Sequence, residues 1–92
     1  MAEVFLSPDI ALPQYERLRA HPRTRKLLGR VDEILDALES DPGQAWLRAQ
    51  RFLDPPLWCV TFDAAGDTWA ILWSMHGEDR VLVDYIGSAS FA

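Results

Sequence analysis

The apolar residues between Leu27 and Leu38 recur at helical spacing. Leu27, Leu28, Val31, Ile34, Leu35 and Leu38 fall on one stripe, and Arg30, Asp32, Glu33, Asp36 and Glu39 occupy most of the remaining surface. This period predicts an amphipathic helix. Asp41-Pro42-Gly43 stops it. Upstream, a short apolar stretch from Glu3 to Leu6 ends at Ser7-Pro8-Asp9, where Ser7 can cap a helix and Pro8 suits its first position. Pro13 then demands a kink or a restart, because an interior proline removes one hydrogen bond and clashes with the preceding turn. His21-Pro22 ends this first helical segment, since a residue before proline avoids the helical region.

Further along, the period shortens to two. Leu57 to Phe62 predicts a strand with Trp58, Val60 and Phe62 on one face,. Ala64-Ala65-Gly66-Asp67 is a turn, and Thr68 to Met75 a second strand with Trp69, Ile71, Trp73 and Met75 on one face. Both faces of that strand are apolar, so it belongs at the centre of a sheet. Gly77-Glu78-Asp79 is the next turn, and Arg80 to Ile86 the last strand. Connections this short join antiparallel neighbours. Trp46 to Leu53 adds a candidate leading strand, ended by Pro55-Pro56. The expected architecture is therefore α+β and a single domain over residues 1–92. A short N-terminal strand and two helical segments precede an antiparallel meander of three to four strands, which packs on the helices. Leu28, Ile34, Leu35, Trp58, Val60 and Ile71 are the expected core.

Composition agrees with one compact core: 49% of residues are hydrophobic and four are Trp. The single cysteine, Cys59, cannot close an internal disulfide, which points to a reducing compartment and a cytoplasmic protein. No signal-peptide pattern and no membrane-spanning run is read from the sequence.

The net charge of −5 argues against a dedicated nucleic-acid binder,. Its distribution is uneven. Residues 1–30 carry six Lys/Arg against three acids, and residues 31–41 carry five acids and no base. Arg17, Arg19, Arg23, Arg25, Lys26 and Arg30 thus form a basic patch on an acidic chain. It is either a solvated helix–helix corner or a surface for a phosphate backbone or an acidic partner.

The order of elements and several residues resemble the RelE/ParE superfamily of bacterial toxin–antitoxin toxins. The residues concerned are Val4-Phe5-Leu6-Ser7-Pro8, then Ile34-Leu35-Asp36-Ala37-Leu38 with Asp41-Pro42. Leu57-Trp58 opens a strand, Trp69 and Trp73 stand where the family often has tyrosines, and Val81, Val83 and Ile86-Gly87 lie in the last strand. The resemblance implies a cognate antitoxin as partner and the ribosome, RNA or DNA gyrase as target. In the RelE branch it implies messenger-RNA cleavage, which needs a base, an acid and positive charge on the transition state. The family's usual cations are replaced: Cys59 follows Trp58, Ala70 follows Trp69, and Gly87-Ser88-Ala89 follows the last strand. Arg48, Arg51, Arg80 and Tyr85 remain as candidate catalytic groups.

Other constellations carry less. His21, His76 and Cys59 match no zinc spacing, so neither metal nor cofactor is expected. Cys59 serves as a nucleophile only if a base such as His76 lies beside it. Asp84 lies in the last strand on the face of Leu82 and Ile86, at an edge or paired with an arginine. No glycine spacing makes a phosphate loop. The leading expectation is a toxin-family protein that acts through protein binding. An endoribonuclease (mRNA interferase) using Arg48, Arg51, Arg80 and Tyr85 is the alternative, and a small orphan interaction domain a third.

Overall fold

The computed structural model describes residues 1–53, 56–64 and 66–89, with residues 52 and 53 described by their backbone alone. In chain order the elements are β1 (Glu3–Leu6), α1 (Ala11–Ala20), a 3₁₀ turn (Pro22–Thr24), α2 (Arg25–Ser40), a second 3₁₀ turn (Ala45–Arg48), β2 (Gln50–Leu53), β3 (Pro56–Ala64), β4 (Asp67–Met75) and β5 (Arg80–Ser88). This is the expected α+β arrangement. The five strands form one sheet in the order β1-β5-β4-β3-β2, so β4 is central. The pairs β2/β3, β3/β4 and β4/β5 are antiparallel, whereas β1 lies parallel to β5. The sheet is therefore mixed.

Ser7 explains how β1 gives way to α1. Its N–H donates to the Val83 carbonyl (2.9 Å), which extends the β1/β5 pairing by one bond. Its hydroxyl accepts from the Ala11 N–H (2.9 Å), and its carbonyl accepts from Leu12 (2.9 Å). The helix thus starts at Ala11, not beside Pro8, with residues 8–10 as a turn. Pro13 is the third residue of α1, in the first turn where backbone N–H groups have no intrahelical partner, so the helix neither kinks nor restarts,. Past Leu6 the edge of β5 has no strand beside it among the described residues. Gln14 of α1 takes the neighbour's part, its Oε1 accepting from the Ile86 N–H at 2.7 Å.

One face of the sheet carries the core. Leu27, Val31, Ile34 and Leu38 of α2 pack on Val60, Phe62, Ile71, Trp73, Val81 and Val83, all buried. The α2 stripe is rotated slightly from the expected one. Leu28 and Leu35 are half-buried at its flank, as is Trp58 at the sheet's end, while Ile34, Val60 and Ile71 are buried as expected. The expected strand over Trp46 to Leu53 is also corrected. Ala45–Arg48 is a 3₁₀ turn that inserts Leu47, fully buried, under the sheet's end, and the strand starts only at Gln50. The Pro55 part of its predicted stop lies outside the described residues.

Tyr15 ties α1 to α2 by donating to Asp32 Oδ1 at 2.7 Å. That bond to a carboxylate, reinforced by burial, raises the Tyr15 pKa above its ordinary 10.0,. The folded chain then keeps a proton that the unfolded chain loses. Its contribution to stability is complete below pH 10.0 and disappears as pH rises through the folded value,. Urea unfolding of wild type and Tyr15→Phe should differ most below that pH, and the difference should shrink above it. A constant difference would show that the bond is not coupled to ionisation.

Candidate functional site

The second 3₁₀ turn and the ends of β2, β3 and β4 build a cluster of arginine on tryptophan. Register places Arg51, Trp58, Trp73 and Val83 in one row across the sheet, on the helix-covered face. Trp73 is fully buried, and its indole N–H donates to the Leu47 carbonyl at 3.1 Å, which fixes the turn against the sheet. Trp58 stacks on Trp73 with ring centroids 4.9 Å apart and planes 29° apart. The Arg48 guanidinium lies 4.5 Å from the Trp58 centroid and 5.6 Å from that of Trp73, and the Arg51 guanidinium 4.7 Å from Trp58. Arg48 also donates from Nε to the Pro42 carbonyl at 2.8 Å.

Both arginines are exposed, and among the described residues neither forms an ion pair. A guanidinium lying on a ring keeps its N–H fork free for an anion. At 4.5 and 4.7 Å from one ring centroid the two guanidinium groups stand at most about 9 Å apart, comparable to the Debye length (~8 Å at physiological salt), so their charges repel,. A bound carboxylate or phosphate relieves that repulsion. With the Arg48 Nε on the Pro42 carbonyl and the remaining N–H groups of both arginines facing no described carboxylate, the arrangement is a candidate anion site with an aromatic floor.

Tyr85 is not part of it. Register sets Gln50, Cys59, Leu72 and Tyr85 in the adjacent row, on the opposite face. The Tyr85 hydroxyl donates to the Ser88 carbonyl at 2.8 Å, and its ring lies over Gly87, where an added Cβ would come 2.7 Å from the hydroxyl oxygen. Arg80 opens β5 beside Glu3, at the other end of the strand. The four candidate catalytic groups are therefore split: Arg48 and Arg51 stand together, and Tyr85 and Arg80 each stand apart from them.

The basic patch is a corner between helices. Thr24 closes it, its hydroxyl donating to the carbonyls of Leu18 (2.6 Å) and His21 (2.8 Å). Leu18, Arg19, His21, Pro22, Arg25 and Leu28 line a shallow hollow there of about 170 Å³, apolar at its base and cationic at its rim. Arg17 and Arg19 lie in the last turn of α1, Arg23 in the first 3₁₀ turn, and Arg25, Lys26 and Arg30 on α2. Arg30 pairs with Glu33.

The remaining reactive side chains stay separate. Cys59 is buried, which raises its pKa and holds the thiol protonated,. It pairs with Leu72, four residues along β4 from His76, a separation of about 13 Å,. Asp84 is the extra residue of a β-bulge between the Leu72/Tyr85 and Trp73/Val83 pairs,. The bulge turns Ile86 into the core, so Asp84 and Ile86 do not share a face as expected, and among the described residues no arginine pairs with Asp84. Its Oδ2 accepts from the Ser74 hydroxyl at 3.0 Å, and His76 Nε2 lies 3.2 Å from that hydroxyl. The bulge was readable in the sequence as the spacing of Val81, Val83 and Ile86. A catalytic triad sets the imidazole between hydroxyl and carboxylate; in this chain the hydroxyl is in the middle. Among the described residues no His, Cys, Asp and Glu side chains gather as a metal site, and no helix is long and apolar enough to cross a membrane. No protein-family model, curated protein or solved structure matches the chain.

Proposed function

We propose that this chain is a RelE/ParE-like toxin-family domain of the cytoplasm that acts by binding protein, with a cognate antitoxin as its partner. The observation that carries the reading is the receptor of Arg48 and Arg51 on Trp58, which has two exposed cations, an aromatic floor and no described carboxylate. An acidic residue of the partner fits it, and the hollow at the basic corner offers a second anchor point with an apolar base. Arginine and tryptophan in such settings dominate protein interfaces. The element order, a short first strand and two helices ahead of the meander, is the one on which the family resemblance rests. Phosphodiester cleavage would need its acid, base and cations around one phosphate. Tyr85 lies on the other face of the sheet from Arg48 and Arg51, which favours binding over ribonuclease action. Ribosome, RNA or gyrase as the cellular target belongs to the same proposal.

Co-expression with the product of a short adjoining reading frame tests it. The two proteins should copurify, and Arg51→Ala should weaken the complex at least about tenfold, with Arg48→Ala, Arg51→Ala weaker still. Specific RNA cleavage by wild type that vanishes in the double variant would establish the endoribonuclease instead. Neither copurification nor cleavage would leave the orphan interaction domain.

A further inference from the structure

Helix α2 is charged against its own dipole: its first turn holds no acid and its last turn no base,. The charges are also ordered about one residue. Arg25 and Lys26 lie four and three places before Gly29, and Asp32 and Glu33 three and four places after it. Gly29 is exposed in the helix interior, where glycine weakens a helix relative to alanine,. An added Cβ there meets nothing within 4 Å, so packing within one copy does not require the glycine.

We propose that the outward face of α2 pairs with the same face of a second copy of this chain, antiparallel, across a two-fold axis at Gly29. In such a pairing each residue before the axis faces its counterpart after it. Residues seven apart share a flank of the helix, so Arg25 and Lys26 of each copy then meet Asp32 and Glu33 of the other, and the two helix dipoles oppose. Asp36 falls opposite the partner's Pro22, one place from its Arg23, whose long side chain can reach it. The missing side chain at Gly29 lets the two backbones approach at the crossing. Arg25, Lys26 and Asp36 form no ion pair within one copy among the described residues, so they are available for this one. Asp32 already accepts from Tyr15 and Glu33 pairs with Arg30, which holds both carboxylates in place.

The contact is modest. A helix of 16 residues is about 24 Å long, and one helix pair falls short of the ~800 Å² per partner of a stable complex,. A weak dimer dominated by charge follows, one that salt dissolves. It uses a different surface from the arginine receptor on Trp58, but shares Arg25 with the hollow at the basic corner; the Arg48 and Arg51 variants therefore test the partner reading alone, and the Glu33 and Asp36 variants test the dimer alone.

Sedimentation equilibrium of the full chain should show a dimer fraction that grows with concentration at about 20 mM NaCl and is lost at about 500 mM. Arg25→Glu, Lys26→Glu should be monomeric alone, as should Glu33→Lys, Asp36→Lys. Mixed in equal amounts, they should pair again, because each supplies the charge the other lacks. Gly29→Leu should remain folded, with a helix at least as stable by thermal melting, and be monomeric. Wild type that is monomeric at low salt, charge variants that each still dimerise alone, or a mixture that fails to pair would overturn the proposal.

Discussion

Replacing Trp73 by alanine should destabilise the protein by about 3–5 kcal/mol, the usual range for removing a fully buried Trp or Phe. That is a large share of the ~5–15 kcal/mol expected for a domain of this kind. Three losses coincide. The side chain is completely buried at the centre of the core. Its stacking with Trp58 disappears, and with it the support that orients the arginine receptor. The Leu47 carbonyl loses its indole donor, leaving the second 3₁₀ turn without its tie to the sheet. Trp73→Phe separates these terms, since it keeps most of the apolar volume and removes the donor; it should cost about 1–3 kcal/mol, the penalty for a buried acceptor left unpaired. Urea unfolding followed by circular dichroism gives both values. A cost for Trp73→Ala below about 1 kcal/mol would mean that this residue is not the keystone of the sheet's end.

Leu38→Ala should also be severe, at about 2–5 kcal/mol, because Leu38 is fully buried between α2 and the sheet,. Leu35→Ala is the informative comparison. The two side chains lie three residues apart on the same helix, yet Leu35 is only half-buried. It should cost less than half as much, because truncation removes less buried surface and leaves an open dent instead of a closed cavity. Equal losses in the two variants would show that the buried stripe of α2 is centred on Leu35, not on Val31, Ile34 and Leu38.

That comparison also marks a limit of what the sequence conveys. Helical period identifies the stripe, but Leu27 and Leu28, or Ile34 and Leu35, both lie within its width. Which of each pair faces the sheet depends on how α2 is rotated, and that is set by packing against β1, β3 and β5. The same limit applies to Trp46 and Leu47. Their residue types suit a strand, and the 3₁₀ turn forms because Leu47 fills the space beneath Trp73, a contact between residues 26 places apart.

The candidate site divides in the same way. Arg48 and Arg51 were visible as cations without a motif, and Tyr85 and Arg80 as residues of the last strand. Their grouping required the register. Side chains in a sheet alternate between faces, so a single residue's shift in pairing exchanges the partners of every side chain. The row of Arg51, Trp58 and Trp73 excludes Tyr85 for that reason.

By itself, the sequence determined the local elements: the amphipathic α2, the stops at His21-Pro22 and Asp41-Pro42-Gly43, the three hairpin-linked strands and the central place of β4. Those follow from period, capping and turn chemistry, which act between residues near in the chain. Only the tertiary structure decided that β1 lies parallel to β5, that Gln14 completes the β5 edge, and that two arginines share one indole on the face away from Tyr85. Each of these joins residues distant in sequence, and it is settled by burial of the common core and by backbone groups that must find partners there.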